Sequence, residues 1–471
     1  MKITNSIQFG EGNFIRAFVD YCIQLLNEQT KFKGKIHIIQ PIEKGKIKFL
    51  KKQKGRFHVF SEGKLKKKLI RSKKIIDCID QTINPYTDYE SFIKLSRDKN
   101  LTFIFSNTTE SGINFDKNDS LFNIPPKSFP GKLTIFLYER FKFFNADIGK
   151  TLHIIPCELI ENNGDQLKKI ILQLTKKWKL ENKFYNWVKL NKFYNSLVDR
   201  IVPGFPKRKL DYYKKQLDFK DDMMVTCEPF FLWIIEGDKS LEKIFPVNKI
   251  RDIDVKIINE IGIFKTRKIR ILNGSHTIMV SLGLIMGIDN VNDFLKNKFL
   301  KKILTDTVKK EIIPSINFDS KKLLNYFFEI KERFENPYFD HKLKAISLNS
   351  ITKFKSRLIP SIVQYTNANK KTPINLLFIL SCLIVLYHKR DNYDIKDSIS
   401  DQNLFDSIKT NNRSINTESF SRILSNKNFW GVNLLNLYKL KELVLIGVKT
   451  ILFTRNLKEG YKNYINKVKL Q

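Results

Sequence analysis

Apolar positions follow two rhythms along this 471-residue chain. Up to about residue 255, short apolar runs recur at 6–9, 35–40, 101–105, 151–155 and 228–236. They are bounded by glycine, proline, asparagine and serine, the pattern of buried strands. From about residue 256 the apolar spacing becomes helical and long, over 290–312, 321–334, 340–360, 373–388 and 434–455. Strands interleaved with helices, then helices alone, predict an α/β part followed by a mainly α-helical part. The longest apolar run, 374–387, is too short to span a bilayer and predicts a buried helix.

The first strand runs into Gly10-Glu11-Gly12-Asn13-Phe14-Ile15-Arg16, and an apolar-periodic helix follows over 17–26. A strand, two close glycines and a helix start make a turn whose backbone N–H groups can face a pyrophosphate. The first part therefore reads as a Rossmann-like dinucleotide-binding domain, residues 1–255, and the second, 256–471, as the substrate-binding and catalytic domain. Ile15 stands where a third glycine is usual, so a purely structural turn is the competing reading. The cofactor-side candidates are Phe9, Gly10, Gly12, Asn13, Phe14 and Arg16. Asn107, Thr108 and Glu110 join them, because polar residues past a strand's carboxyl end line the ligand crevice of such sheets. The second strand ends in Gln40-Pro41, where an acid usually holds the ribose hydroxyls, and Glu43, Lys44 and Lys46 follow. That strand leaves NAD against NADP open.

The second part opens on Lys268-Ile-Arg-Ile-Leu-Asn273-Gly-Ser-His276. On an α-helix Asn273 lies about 140° and His276 about 80° round from Lys268, so all three could point into one cleft. Oxidation of an alcohol by hydride loss needs a base for the hydroxyl proton, and the reverse reduction needs the conjugate acid. A lysine serves only if burial or a cationic neighbour lowers its pKa, and Arg267 and Arg270 flank this one. Asn273 would donate to the developing oxyanion, and His276 would orient or polarise the same oxygen. A helix with an exposed lysine and a core histidine carries the same three residues and is the competing reading.

Composition narrows the classes. Five scattered cysteines with no C-x-x-C pair read as reduced thiols of a cytoplasmic protein, without a disulfide framework or a metal site. The start of the chain reads as a strand, with no signal peptide. The formal charge of +36 invites a polyanion partner. The basic residues are spread along the whole chain, however, alongside many Ile, Asn and Phe, as AT-rich codon usage gives. The expectation is no specific nucleic-acid partner and no membrane, with the dense run from Lys64 to Lys74 a solvated face.

These clusters, in this order, resemble the polyol-specific long-chain dehydrogenase/reductase family, also called the mannitol dehydrogenase family. The residues that carry the resemblance are Gly10 to Arg16, the Val198-Asp199-Arg200 stretch, and Lys268, Asn273 and His276 in a K-x-x-x-x-N-x-x-H pattern. Read alone, Asp199-Arg200 is at least as well explained by a buried ion pair. The resemblance covers essentially the whole chain. It implies NAD-dependent, metal-independent hydride transfer with Lys268 as acid/base. It also implies a second asparagine beside Asn273 on the substrate oxygen, which we assign to Asn163. Members acting on neutral polyols tend to carry an acid after the glutamate that ends the 228–236 run; Gly237 stands there, which suits a carboxylate-bearing uronate or aldonate. Lys353, Lys355 and Arg357 are the candidates to bind that carboxylate, against a plain basic helix face. His341 could line the site too, though it reads better as a capped or core histidine. Oligomeric state stays open.

Overall fold

Six strands with apolar residues on both faces form one parallel sheet: β1 (Thr4–Phe9), β2 (Gly34–Ile39), β5 (Ile79–Ile83), β6 (Leu101–Ser106), β7 (His153–Pro156) and β8 (Lys192–Phe193). Phe103, Ile104 and Phe105 are all fully buried in consecutive positions, as a strand covered on both sides requires. The spatial order is β5-β2-β1-β6-β7-β8. Strand order therefore reverses at β1 and β6, whose last residues, Phe9 and Ser106, lie side by side. A crevice for ligands opens at the carboxyl ends of such a pair.

The computed structural model describes residues 3–108, 112–338, 341–369, 371–393, 403–408 and 415–470. The chain divides into two compact units, 1–261 and 262–471. The expected boundary at 255 would cut β12 (Asp254–Ile258), which pairs in parallel with β11 (Leu232–Glu236) inside the first unit. β9 (Ser196–Asp199) completes that three-stranded sheet.

A third sheet joins β10 (Val225–Cys227) to a hairpin of β3 (Phe57–Leu65) and β4 (Lys68–Ile76). The sequence pattern does not mark this hairpin, because four of the nine residues of its outer strand are basic and its apolar residues do not alternate. Its exposed end carries the Lys64–Lys68 run, and Lys73 and Lys74 pair with Asp218 and Glu28.

The described part of the second unit is helical. Its centre is the Ile374–His388 helix, buried on every side from Asn375 to Tyr387 and packed against the Leu440–Phe453 helix. Among the described residues no helix is long and apolar enough to cross a membrane. The helical span expected over 340–360 is divided, with Asn349 at φ 57 starting the Ser350–Arg357 helix. Helices Thr417–Ser425 and Leu457–Lys469 were not expected, since polar residues dilute their apolar stripes.

The N-terminus of the central helix follows Pro373 and has no cap from its own flanking side chain. Buried Glu311 supplies one, accepting the Asn375 and Leu376 N–H groups at 2.8 Å each. Burial raises its pKa from 4.5 to about 8 against the effect of those two donors. A carboxyl with a raised folded-state pKa adds stability below its unfolded pKa and loses it as pH rises through the folded value. The melting temperature should therefore carry a component that falls between about pH 5 and about pH 8. Glu311→Gln should lack that component; an unchanged slope in thermal melts at several pH values would contradict it.

Candidate active site

In the first unit, β1 ends at the strand-order reversal and turns sharply. Gly10 has φ +120, and a Cβ there would come 2.7 Å from the Asn107 carbonyl oxygen, so only glycine fits. At exposed Gly12 an added Cβ would meet nothing within 4 Å. This second glycine leaves room above the start of a helix that no side chain caps. An open cradle with uncapped N–H groups fits a pyrophosphate. The helix continues over residues 13–29 through a π-helical stretch, Arg16–Asp20. Ile15, in place of the third glycine, is fully buried in the core under the sheet.

The residues expected on the cofactor side divide by depth. Gly12, Asn13 and Phe14 reach the surface. Phe9 is buried against Phe92 and Phe129, and it contributes the carbonyl that accepts the Asn107 N–H. Arg16 is also buried, beneath the turn rather than in it. Its guanidinium donates to the Glu11 carbonyl at 3.0 Å, to Asn13 Oδ1 at 2.8 Å and to the Met223 carbonyl. Burial lowers its pKa to about 10, so it stays charged near neutrality. Asn107 donates to the Cys157 carbonyl at 2.7 Å, and Thr108 donates twice to buried Glu158, tying β6 to β7. Glu110 lies outside the described residues.

Asp199-Arg200 is resolved the same way. Arg200 is buried over Tyr21 and Phe231 and donates to the Ala17 carbonyl at 2.6 Å, inside the π-helical stretch. It braces the nucleotide-side helix. An acid that the sequence reading missed at the end of β2 comes from Glu11. Its carboxylate accepts the Lys46 N–H at 3.0 Å, and a Cβ at Gly45 would strike both it and Gln40. Gln40 itself is buried and holds the turn that follows it.

Asn163 does not offer its amide to a ligand. It is buried, and Nδ2 donates to the carbonyls of Pro156, Glu158 and Ser196 at 3.1 to 3.2 Å. Oδ1 accepts the N–H groups of Gly164 and Ser196. Every hydrogen-bonding site on the side chain is occupied by backbone, which makes it a clamp joining the loop after β7 to β9.

In the second unit, Lys268–Asn273 is a π-helical turn between the Gly262–Arg267 and Gly274–Gly283 helices. Its bonds run from residue i to i+5, as from the Gly274 N–H to the Ile269 carbonyl. The wider turn brings Asn273 closer to the Lys268 side of the helix than the 140° of a regular α-helix. Among the described residues the Asn273 side-chain amide makes no hydrogen bond, the opposite of Asn163. Arg270 points inward and donates to Ser361, Gln364 and Ser315, all uncharged. Arg267 lies over the rings of Phe264 and Tyr326, 4.4 Å from each. Lys268 is half-buried between these two arginines in sequence.

His276 is buried, and among the described residues its Nε2 has no hydrogen-bond partner. Its ring packs 4.6 Å from Phe334 and 4.9 Å from His341. Burial, then the positive charge of His341, Arg357, Arg333 and Lys353, hold its pKa well below the ordinary value, so the ring is neutral. Arg357 donates to the Asn273 carbonyl at 3.3 Å and to Thr277 Oγ1 at 3.2 Å. Arg357 thus touches this group, while Lys353, one helical turn before it, adds positive charge near His276 with its ammonium donating to the Ile346 carbonyl at 2.9 Å. Lys355 does neither, since its ammonium donates to the Asn428 carbonyl and its chain lies against Gly431. The sequence reading missed Arg333, Phe334 and the place of His341. Arg333 had a signal: it sits on the same buried helix face as Tyr326 and Ile330, where a charge needs a reason. Among the described residues, no set of three His, Cys, Asp or Glu side chains could hold a metal ion.

Residues 4–249 match the family model for the mannitol dehydrogenase Rossmann domain, and 260–451 the model for its C-terminal domain. An altronate oxidoreductase of Bacillus subtilis is 37% identical over 446 residues, 94% of this chain and 92% of the relative. One of Yersinia pestis is 34% identical over 455 residues, 95% and 94% of the two chains. Among solved structures, mannitol 2-dehydrogenase of Pseudomonas fluorescens, in a ternary complex with NAD and D-mannitol, superposes with a TM-score of 0.71 at 17% identity, covering 99% of this chain and 95% of that one. A D-sorbitol dehydrogenase gives 0.79 at 19%, covering 98% and 97%. At such identities these two structures speak for the fold alone.

The two asparagines should separate in thermal melts. Asn163→Ala should cost about 2 kcal/mol or more, because it strands buried N–H and C=O groups. Asn273→Ala should stay within about 0.5 kcal/mol of the wild type. Equal losses would contradict the division of roles.

Proposed function

The chain belongs to the mannitol dehydrogenase family, and on that premise we propose that it is an NAD-dependent altronate oxidoreductase, interconverting D-altronate and D-tagaturonate in the breakdown of galacturonate. The observation that carries this reading is the surroundings of His276. A buried ring nitrogen without a partner among the described residues sits where Arg333, Lys353 and Arg357 add positive charge. A ligand that brings an oxygen for the ring and a carboxylate into this positively charged surrounding suits the site better than a neutral polyol.

When bound, NADH supplies the hydride to the ketone carbon. Lys268 gives the proton to the nascent alkoxide and takes it back in the oxidative direction. Asn273, brought toward the Lys268 side of the helix by the wide turn, donates its amide N–H to the same oxygen. His276, neutral and with its proton on Nε2, adds a second donor without the desolvation cost of a buried charge. Arg357 holds the Asn273 carbonyl and, with Lys353, attracts the substrate carboxylate. The glycine turn and the helix start after Gly12 would hold the pyrophosphate. NAD is favoured over NADP by Glu11, whose carboxylate beside Gln40 would repel a ribose 2′-phosphate.

Lys268→Ala should lower turnover of tagaturonate by about 10²- to 10⁴-fold while NADH still binds. Near-normal turnover, followed by the loss of NADH absorbance, would remove the mechanism. Arg357→Ala should lower kcat/KM for the uronate by roughly 10²-fold and change any activity on fructose far less. Equal losses on both would remove the carboxylate role.

A further inference from the structure

One buried histidine–aspartate pair in the first unit has no part in the chemistry above. His58, on β3, is fully buried, and its Nδ1 lies 2.8 Å from Asp221 Oδ2. The His58 backbone N–H donates to the same oxygen at 2.6 Å. Its Nε2 lies 3.1 Å from Asp218 Oδ2, and Phe219 packs on the ring at 4.4 Å. Asp221 is itself buried, and its second oxygen accepts from Gln53 Nε2 at 2.9 Å and from the Met223 N–H at 2.7 Å.

Met223 connects this pair to the glycine turn. Its carbonyl accepts from Arg16, and the same guanidinium holds the Glu11 carbonyl and the Asn13 side chain. Arg16 also lies 5.0 Å over the ring of Phe57, the residue before His58. A continuous hydrogen-bonded path thus runs from His58 through Asp221, Met223 and Arg16 to the two residues that shape the turn. Each link is buried, so a change at one end is not absorbed by water.

We propose that His58, acting through Asp221, is a positioning residue for nucleotide binding: it fixes the 218–223 segment whose Met223 carbonyl sets the place of Arg16. The inference rests on reading the glycine turn as the nucleotide site and is independent of which ketone is reduced. A hydrogen-bonded imidazole in this position does more than fill space, because a side chain without donors would take from buried Asp221 Oδ2 one of its two partners and leave it the backbone N–H of residue 58.

The test uses the full-length protein and NADH, with binding followed by nicotinamide fluorescence and kinetics measured where turnover exists. His58→Leu should weaken NADH binding about tenfold, and leave kcat at saturating NADH and KM for the keto acid within about twofold. His58→Asn places an amide N–H near the position of Nδ1 and should recover most of the affinity. Unchanged NADH affinity in His58→Leu overturns the proposal. So does a His58→Asn no better than His58→Leu, or a loss spread equally over kcat and both KM values, because a general structural defect predicts either. Should His58→Leu fail to fold, Asp221→Asn reads the same link with the same expected loss. A wild type that binds NADH but does not reduce tagaturonate removes the substrate assignment alone. A wild type that binds no NADH removes this inference with the nucleotide reading.

Discussion

Residues five apart do not share a face on a helix of 3.6 residues per turn, and the proposed chemistry brings two such residues, Lys268 and Asn273, to one substrate oxygen. The Lys268–Asn273 turn resolves the conflict by widening. A wide turn forgoes regular i→i+4 bonds and must be held from outside. Arg270 does this from within the turn, with its guanidinium fixed by Ser315, Ser361 and Gln364. The nucleotide-side helix follows the same plan: its π-helical stretch, Arg16–Asp20, is held where Arg200 takes the Ala17 carbonyl. In both helices a buried arginine stabilises an irregular turn next to the residues that do the chemistry.

Electrostatics then separates position from composition. With 84 lysines and arginines in the chain, charge alone singles out nothing. Geometry does. Lys353, Lys355 and Arg357 lie within five residues, yet the helical period turns Lys355 toward Asn428 and leaves the other two toward His276. A histidine kept neutral by burial among cations can donate to a ligand oxygen, as the proposed mechanism has it, without adding a charge that would have to be desolvated. The same cations favour an anionic ligand over a neutral one.

Much of this was legible in the sequence. The parallel strands came from short apolar runs and the switch-point turn from Gly10 and Gly12, and the spacing of Lys268, Asn273 and His276 singled out the three residues that the proposed mechanism uses. What was not legible has a common cause: sequence does not show burial. Asn163, Arg16 and Arg200 are polar residues beside the expected site, and each is a buried brace whose donors serve backbone carbonyls. Lys355 failed for a different reason, its helix phase. The wide turn was hidden because one extra residue merely shifts the apolar stripe. The β3–β4 hairpin was hidden because its outer strand faces water and carries lysines in place of alternating apolar residues. Arg333 alone left a usable trace, as a charge on an apolar face.

The central claim is that this site reduces a keto uronate, and the most direct measurement is NADH consumption by the purified wild-type protein offered tagaturonate, fructuronate and fructose in parallel. The account predicts turnover on tagaturonate that exceeds the other two by orders of magnitude in kcat/KM. Preference for fructose would contradict the reading of the cations around His276. Preference for fructuronate would keep that reading and move the enzyme to another uronate. No turnover on any of the three, with NADH bound, would contradict the assignment as a whole.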